Sequence, residues 1–334
     1  MQENKIENAI IIRSKTRLEQ LTERFNTVAQ AEFYVKQQKK SFRFKKAQKE
    51  SVVQNLVEDS FDEAFSLYQT EHDKFYHALE RVKKEISKLL KFKIVEQQHL
   101  PNYIFSKKDL VIVLGQDGLV ANTAKYVHDI PIIAINPDRE RYDGILLPFT
   151  VNNFAPTIQK VLSGAYNYQL VTMAVAEMND GQRLLAFNDF FIGTSNHTSA
   201  RYNISFRNRN EDQSSSGIIV STGAGSTGWL SSLFNMANSI HKTFHGQQEF
   251  PYEAFSREEK KLVFVVREPF LSKSSQIGLT SGVLFQTEEL IIESQMPQNG
   301  IIFSDGILSD YMSFNSGNIV SIRIADETAK LVMP

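Results

Sequence analysis

A run of small residues between positions 216 and 229 carries the densest set of groups that could bind a ligand. It reads SGIIVSTGAGSTGW, an apolar stretch followed by glycines and hydroxyl side chains. Glycine has no Cβ, so it accepts positive φ and lets a ligand approach the backbone closely. Hydroxyls both donate and accept hydrogen bonds, and Trp229, the only Trp of the chain, offers a flat surface for a base. The run predicts a nucleotide or sugar site, with a tight strand-to-helix connection as the alternative.

A second candidate is Asp117, which stands between glycines in the tetrapeptide GQDG at 115–118. It follows the apolar run from Asp109 to Leu114 directly. A carboxylate there is well placed to act as a general base, because small neighbours let a sugar hydroxyl come within hydrogen-bond reach. Asp-Gly is equally typical of a turn after a strand, so the tetrapeptide alone leaves both interpretations open.

The pair Asn188-Asp189 separates two apolar runs. Adjacent residues of a strand point to opposite faces, so one of the two is expected to face the interior or a cleft. Buried polar groups need partners, and the hydroxyls or ring nitrogens of a ligand would serve. A β-bulge or turn is the alternative, and a third Asp-Gly, at Asp305, is interpreted as a turn.

Length and composition limit the class of protein. With 334 residues the chain is expected to form about two domains. Its net charge of −1 provides no basic field for nucleic acid, and the lack of cysteine excludes disulfides, thiolate metal sites and cysteine nucleophiles. No apolar run approaches the ~20 residues of a membrane span, and the polar N-terminus resembles neither a signal nor a transit peptide. A cytoplasmic protein with no membrane or nucleic-acid partner is expected.

The elements that must position these residues differ between the two halves. Before residue 150, apolar strands alternate with helical patterns, which is typical of a parallel α/β sheet. Ligands bind such sheets beyond the carboxyl ends of the strands, where Asp117 and Asn136 fall. Strands are predicted at 9–12, 94–95, 109–114 and 130–135, with helices after Ser14 or Thr16 and over 120–127.

Between Phe61 and Leu89 apolar residues recur in a 4-3 alternation, which predicts one long helix over 60–90. Packing of this helix on its own domain is favoured over a dimerising coiled coil, and His72 within the seam is interpreted as a core histidine. The preceding basic run, 39–49, is interpreted as a solvated connection.

After residue 150 short β-rich runs and turn signals dominate. The chain is thus expected to form an N-terminal Rossmann-like parallel α/β domain over 1–149. A mostly β domain follows over 150–334, and its last strands could return to the first domain. Strands are predicted at 166–177, 182–193, 200–207, 261–266, 275–279, 289–293, 300–303 and 318–324, with helical periodicity after Trp229 and around 256–260.

Taken in order, the motifs resemble those of the NAD kinases. GQDG is similar to the family's Gly-Gly-Asp-Gly, and Asn188-Asp189 to its Asn-Glu pair. The run from Thr222 to Thr227 with Trp229 is similar to its glycine-rich loop. The branch with the mitochondrial NAD kinases is most similar, because it shares segments like Asn136-Pro-Asp, Gly-Ile-Leu at 144–146, Ser-Gly at 216–217 and Arg-Glu-Pro at 267–269.

This resemblance implies that the C-terminal domain is a β-sandwich and that an NAD-binding cleft lies between it and the α/β domain. Asp117 would take the proton from the adenosine ribose 2′-hydroxyl, whose oxygen then attacks the γ-phosphoryl of ATP. Mg²⁺ or another divalent cation would neutralise the phosphates, although no metal-binding residue is identified. NAD and ATP are the implied partners, and a homo-oligomer, dimer or tetramer, is implied as well. The implied binding residues are Gly115, Gly118, Asn136, Asn188, Asp189, Ser216, Gly225, Ser226, Thr227, Gly228 and Trp229.

Three positions depart from the family pattern. Gln116 replaces a glycine, Leu119 stands where the family has threonine, and Asp189 is one methylene shorter than the usual glutamate. An active NAD kinase is the favoured interpretation. A catalytically weak sensor that binds NAD or NADP is the first alternative, motivated by Gln116 and Leu119. A lipid or sphingoid kinase of the same fold is the second.

Overall fold

The computed structural model describes residues 6–35, 37, 59–246 and 251–334, without the side chains of 59–64 and 245. The basic run at 39–49 lies outside the described residues. No helix in the described ranges is both long and apolar enough to cross a membrane.

The N-terminal half is built on four parallel strands in the order β2-β1-β3-β4. The residues of β3 are all buried, and those of β1 and β4 nearly so. Such continuous apolar strands are typical of a sheet that helices cover on both faces. The strands are β1 (Asn8–Arg13), β2 (Lys91–Glu96), β3 (Asp109–Leu114) and β4 (Pro131–Asn136).

Helices accompany this sheet, and the described residues also include a helical segment at 28–35. Thr16 caps α1 through a capping box with Glu19, which satisfies backbone N–H groups at both residues. In α2, the heptad residues from Phe75 to Ile86 pack into the core with strand residues such as Ile11. The helices are α1 (Arg17–Phe25), α2 (Asp59–Ile86), α3 (Asp117–Val127) and α4 (Ala155–Leu162).

His72 lies at the contact between α2 and α1. Its Nδ1 lies 2.8 Å from Thr16 Oγ1, and its ring packs on Tyr76 with 4.5 Å between centroids. The histidine therefore has a partner within the fold.

The C-terminal half adds a run of short strands and one long helix, α5 (Trp229–His245). Residues of facing strands, among them Ile204 and Phe264, share one core in which the two sheets pack as a sandwich. The strands are β5 (Phe149–Thr150), β6 (Asn167–Met178), β7 (Arg183–Ala186), β8 (Asp189–Thr194), β9 (Ala200–Phe206), β10 (Arg209–Ser215), β11 (Ile218–Ser221), β12 (Lys261–Val266), β13 (Ser281–Phe285), β14 (Leu290–Ser294), β15 (Gly300–Ser304), β16 (Ile307–Ser313) and β17 (Ile319–Met333).

In the described ranges the strands form two sheets. The large sheet has the order β10-β9-β14-β17-β4-β3-β1-β2, with β5 on β4, β6 on β17 and β7 on β6. The small sheet has the order β13-β12-β11-β8-β15-β16. Because β17 pairs with β6 along its length and with β4 through Lys330 and Leu331, the large sheet runs through both halves. Helix α4 also lies beyond residue 150, yet Ile158 packs into the N-terminal core.

Two predicted elements are absent from the part of the chain that the structure describes. Residues 275–279 form no strand, and the Ser275 hydroxyl instead donates to Phe270 O at 2.6 Å. Such side-chain to backbone bonds compete with strand pairing. Residues 256–260 form turns rather than a helix, with Glu259 N donating to Ser256 O at 3.1 Å.

Candidate active site

A cleft of about 580 Å³ opens at the carboxyl ends of β1, β3 and β4. Its walls come from the starts of α1 and α3, from α2, from the loop after β4 and from the β15–β16 hairpin. Parallel strands place all their carboxyl ends at one edge, which is where ligands bind in such sheets. The lining includes Thr16, Arg17, Glu71, Gly115, Gln116, Gly118, Leu119, Tyr142, Asp305 and Ile307.

Asp117 is the first residue of α3, at this edge of the sheet. Its Oδ1 accepts a hydrogen bond from Leu146 N at 2.8 Å, and its Oδ2 accepts one from Ile145 N at 3.3 Å. A carboxylate offers about four acceptor positions, so each oxygen can still accept a proton from a bound hydroxyl. Helix N-termini also favour nearby negative charge, which suits a carboxylate that must be ionised before it accepts that proton.

Asn136 shapes the wall of the cleft through its neighbours. Its side chain is buried, and it donates to Tyr142 O at 2.9 Å and accepts from Asp138 N at 2.9 Å. Both ends of the amide are therefore used within the loop after β4. Pro137, Asp138 and Tyr142 of that loop line the cleft, so the structure gives Asn136 a loop-ordering contact.

The turn that holds Asn188 and Asp189 is fixed by a carboxylate from the other end of the chain. Asp305 Oδ1 accepts from Asn188 N at 2.6 Å and from Asp189 N at 3.3 Å, and its Oδ2 accepts from Phe187 N at 3.1 Å. In return, Asp305 N donates to Asp189 O at 3.0 Å. Asp305 also lines the cleft, so one residue joins the turn to the cavity beside Gly118.

Burial changes the acidity of both carboxyl groups. Asp189 is 8% exposed, and burial, with a smaller contribution from the charge of Asp305, raises its pKa to about 7. No described residue donates a hydrogen bond to its side chain. Burial likewise raises the pKa of Asp305, opposed by Lys125 and by the three backbone N–H groups. Burial thus favours the protonated form of both carboxyl groups.

The glycine-rich loop packs directly on this turn. Thr222 N donates to Asn188 O at 2.8 Å, and Thr222 Oγ1 donates to Phe187 O at 2.6 Å. A Cβ at Gly225 would lie 2.3 Å from Asn188 O, so only glycine fits there. The buried Ser226 hydroxyl donates to Gly223 O at 2.7 Å. Glycine is thus required for the contact between loop and turn.

Thr227 and Gly228 lie at the exposed end of the same loop. Trp229 follows them and stacks on Phe191, with 5.9 Å between centroids and 7° between planes. Phe191 belongs to a cluster on the outer face of the small sheet, and Arg267 lies 5.5 Å from the Trp229 ring centroid. Trp229 therefore packs on its own chain, away from the residues that line the cleft.

Ser216 lies at the opposite end of β11 from the glycine-rich loop. It is exposed, and its hydroxyl donates to the Glu268 carboxylate. Of the predicted binding residues, the structure thus brings Gly115 and Gly118 to the cleft and joins Asn188, Asp189 and Gly225 behind it. Ser216 and Trp229 lie apart from that group.

The cations at the cleft already have acidic partners. Arg17 and Arg141 both contact the Glu71 carboxylate, at 2.6 Å and 3.0 Å. Lys74 similarly contacts Asp138 at 3.1 Å. Of these cations Arg17 lines the cleft, so an anionic ligand would meet a guanidinium group that Glu71 holds in place. The described residues include no cluster of three or more His, Asp or Glu side chains that could hold a metal ion.

Sequence reasoning missed the role of Asp305, which it interpreted only as part of a turn. The turn is present, with positive φ at Asp305 and Gly306. A detectable signal was the position of this Asp-Gly directly after an apolar run, as in GQDG. Its contact with Asn188, 117 positions away, left no trace in local sequence.

Three sequence relatives of this chain are NAD kinases. The chain is 27% identical over 163 residues to the NAD kinase of Citrifermentans bemidjiense, covering 44% of this chain and 53% of that protein. It is 28% identical over 152 residues to the NAD kinase of Saccharolobus islandicus strain M.14.25, covering 46% and 55%. The chain thus spans about half the length of these relatives.

A third relative is matched over most of its length. The chain is 25% identical over 362 residues to mitochondrial NAD kinase 2 of Xenopus tropicalis, covering 82% of this chain and 81% of that protein. No family model matches the chain.

Solved structures with a similar fold are kinases of the same kind. An NAD kinase from Archaeoglobus fulgidus in complex with ATP superposes with a TM-score of 0.52 at 15% identity, covering 76% of this chain and 88% of that one. Yeast NADH kinase complexed with NADH gives a TM-score of 0.57 at 14% identity, covering 100% and 85%. At these identities the structures show a shared fold. The sequence matches confirm the resemblance of this chain to the NAD kinases.

Proposed function

We propose that this chain is an NAD kinase, an enzyme that phosphorylates the adenosine ribose 2′-hydroxyl of NAD with a nucleoside triphosphate. One observation carries the proposal. The cleft that Gly115, Gln116 and Gly118 line is also lined by Asp305, whose carboxylate accepts hydrogen bonds from the backbone N–H groups of Asn188 and Asp189. Asp305 therefore connects the cleft beside Asp117 to the turn that holds the second motif, which supports a site for two substrates.

Asp117 acts as the general base in this proposal. Its carboxylate takes the proton of the 2′-hydroxyl, and the ribose oxygen forms a bond to the γ-phosphorus. The bond from the γ-phosphorus to the β–γ bridging oxygen breaks, and a nucleoside diphosphate leaves. Phosphoryl transfer depends mainly on positioning and on stabilising charge, so the fixed position of Asp117 at the start of α3 supports this role.

The remaining groups hold the substrates. Asn188 and Asp189 are proposed to contact ribose and adenine, and Ser226, Thr227 and the backbone at Gly228 to contact the adenosine. Mg²⁺ is proposed to arrive as part of the nucleotide substrate, since Mg²⁺ usually binds through one or two carboxylates plus phosphates. The starts of α1 and α3 at the cleft favour anionic phosphates. Homo-oligomerisation and a cytoplasmic location stay predictions from the sequence.

The test is product formation. The purified chain is incubated with NAD, Mg²⁺ and ATP, and NADP is measured with an NADP-specific dehydrogenase; other triphosphates and polyphosphate are tried as donors. The proposal predicts NADP that accumulates with enzyme concentration. NAD binding in a calorimeter without turnover with any donor would instead support the sensor, and phosphorylation of a lipid alcohol but not of NAD would support the lipid kinase.

A further inference from the structure

A buried cation lies at the far end of the helix that begins with Asp117. Lys125, in the last turn of α3, is 4% exposed. Its Nζ donates to Ser304 Oγ at 2.9 Å and to Asp310 Oδ2 at 2.9 Å. Both acceptors belong to the strands of the β15–β16 hairpin. Because lysine is almost never buried without a partner, these contacts fix the helix to the hairpin.

The groups around Lys125 are mostly acidic. Asp310 also accepts a hydrogen bond from the Tyr126 hydroxyl, yet its Oδ1 is buried with no partner among the described residues. Asp305 is partly buried, and burial raises its pKa, while Lys125 opposes that shift. Asp189, the first residue of β8, is close enough to Asp305 that the charge of Asp305 adds to the effect of burial in raising the pKa of Asp189. The ammonium group of Lys125 therefore offsets the negative charge of Asp305 and Asp310 in the β15–β16 hairpin.

We propose that Lys125 is a positioning residue for the phosphoryl transfer, an inference that rests on the proposed function. It ties the helix that begins with Asp117 to the hairpin whose Asp305 holds the turn at 187–189. The helix places Lys125 eight residues beyond Asp117, which is about 12 Å. The contacts of Lys125 therefore set the position of Asp117, the proposed base. They also set the ionisation of Asp305, which orders the turn proposed to bind NAD.

The geometry gives this role two separable parts. Two hydrogen bonds at the end of α3 restrict the rotation of the helix and so the direction of its first residue. The charge keeps Asp305 as an acceptor, because a protonated carboxyl group would lose acceptor capacity toward three backbone N–H groups. A residue that only filled space at position 125 would supply neither part.

The experiment compares Lys125→Met with Asp310→Asn. The first removes the ammonium and keeps the length of the side chain, and we expect it to raise the KM for NAD by about 10-fold, since small misplacements at an active site have large effects. Lys125→Met should also move the acid limb of the pH profile of kcat/KM for NAD to higher pH, because Asp305 loses the cation that lowers its pKa. Asp310→Asn removes the carboxylate that pairs with Lys125. The ammonium group should then lower the pKa of Asp305 further, and the acid limb should move to lower pH. Lys125→Arg, which keeps the charge, should have a KM for NAD closer to the wild-type value than that of Lys125→Met.

We expect the acid limbs of Lys125→Met and Asp310→Asn to shift in opposite directions, although both variants disturb the same ion pair. If both variants only lower the melting temperature, with an unchanged KM and pH profile, the role of Lys125 is structural and the inference is wrong. If Lys125→Met does not fold, Ser304→Ala removes one of the two hydrogen bonds to Lys125, and an unchanged KM for NAD would overturn the inference. If the wild-type chain forms no NADP, the proposed function fails first, and calorimetric NAD affinities of the same variants then test the positioning role.

Discussion

The backbone N–H of Asn188 donates a hydrogen bond of 2.6 Å to the carboxylate of Asp305. Asn188 lies between β7 of the large sheet and β8 of the small sheet, whereas Asp305 lies in the β15–β16 hairpin. Their contact places a second acid beside the buried Asp189. Hydrogen bonds to charged acceptors are stronger than neutral ones, so this contact defines the conformation of the turn. It also links the ionisation of one carboxyl group to that of the other.

The first prediction concerns stability and pH. The pKa of Asp189 is raised to about 7 in the folded chain, so the folded state binds more protons than the unfolded state between about pH 4 and 7. Stability contributed by this group is present below pH 4 and is lost as the pH rises through 7. Asp189→Asn removes that loss, so its free energy of unfolding should exceed that of the wild type increasingly as the pH rises, by on the order of 4 kcal/mol at pH 8.

Urea denaturation at pH 5 and pH 8 measures this difference. Asp143→Asn is the matched control, because Asp143 is exposed in a loop and its substitution should change stability equally little at both values. A difference between Asp189→Asn and wild type that stays constant from pH 5 to pH 8 would contradict the raised pKa.

The second prediction concerns the glycine-rich loop. Gly225→Ala would place a Cβ 2.3 Å from Asn188 O, so the loop and the turn must separate. We expect a loss of about 2 kcal/mol or more in the free energy of unfolding and a higher KM for NAD. Gly118→Ala is the control for stability, since nothing lies within 4 Å of a Cβ there and alanine favours a helix by up to about 1 kcal/mol over glycine. Equal melting temperatures for the two variants would refute the close contact.

A third prediction concerns Gln116, which lines the cleft at the cap of α3. Gln116→Gly removes a side chain from the wall and lets a phosphate approach the backbone, while glycine is tolerated at a helix cap. The KM for the nucleoside triphosphate should fall several-fold in steady-state assays, with little change in melting temperature. Gln97→Ala also shortens a glutamine that lines the cleft and should leave this KM unchanged. A KM for the triphosphate that rises in Gln116→Gly would show that the glutamine assists the donor.

The fold could be predicted where one physical signal dominates. The strands β1, β3 and β4 are short apolar runs, and the seam of α2 repeats with a helical period, so both were found from sequence. The mostly β second half was also recognised from its short runs and turns, whereas the sandwich was implied only by the resemblance to the NAD kinases. The strand β10, by contrast, reads RNEDQSS; it is a strand because β9 pairs with it, and tertiary pairing outweighs the weak β propensity of such residues.

The candidate site divides in the same way. Asp117 and the glycine-rich loop are local patterns, and their positions at strand ends follow from the parallel sheet. Asp305 and Lys125 depend on contacts between residues 116 or more positions apart. Such contacts form only when the sheets pack, and no local period records them. The return of β17 to the N-terminal sheet was anticipated only as an option, because its charged residues interrupt the apolar alternation.

The central claim is that Asp117 removes the proton of the ribose hydroxyl, and its direct test is the turnover number of Asp117→Asn. Asparagine keeps the size of the side chain and removes the base. We predict that kcat for NADP formation falls by ~10²-fold or more, the scale of general-base catalysis, while the Kd for NAD from calorimetry stays within about 3-fold. Asp143→Asn, a change of the same kind at an exposed position, should keep the wild-type kcat. Wild-type turnover that survives in Asp117→Asn would contradict the account.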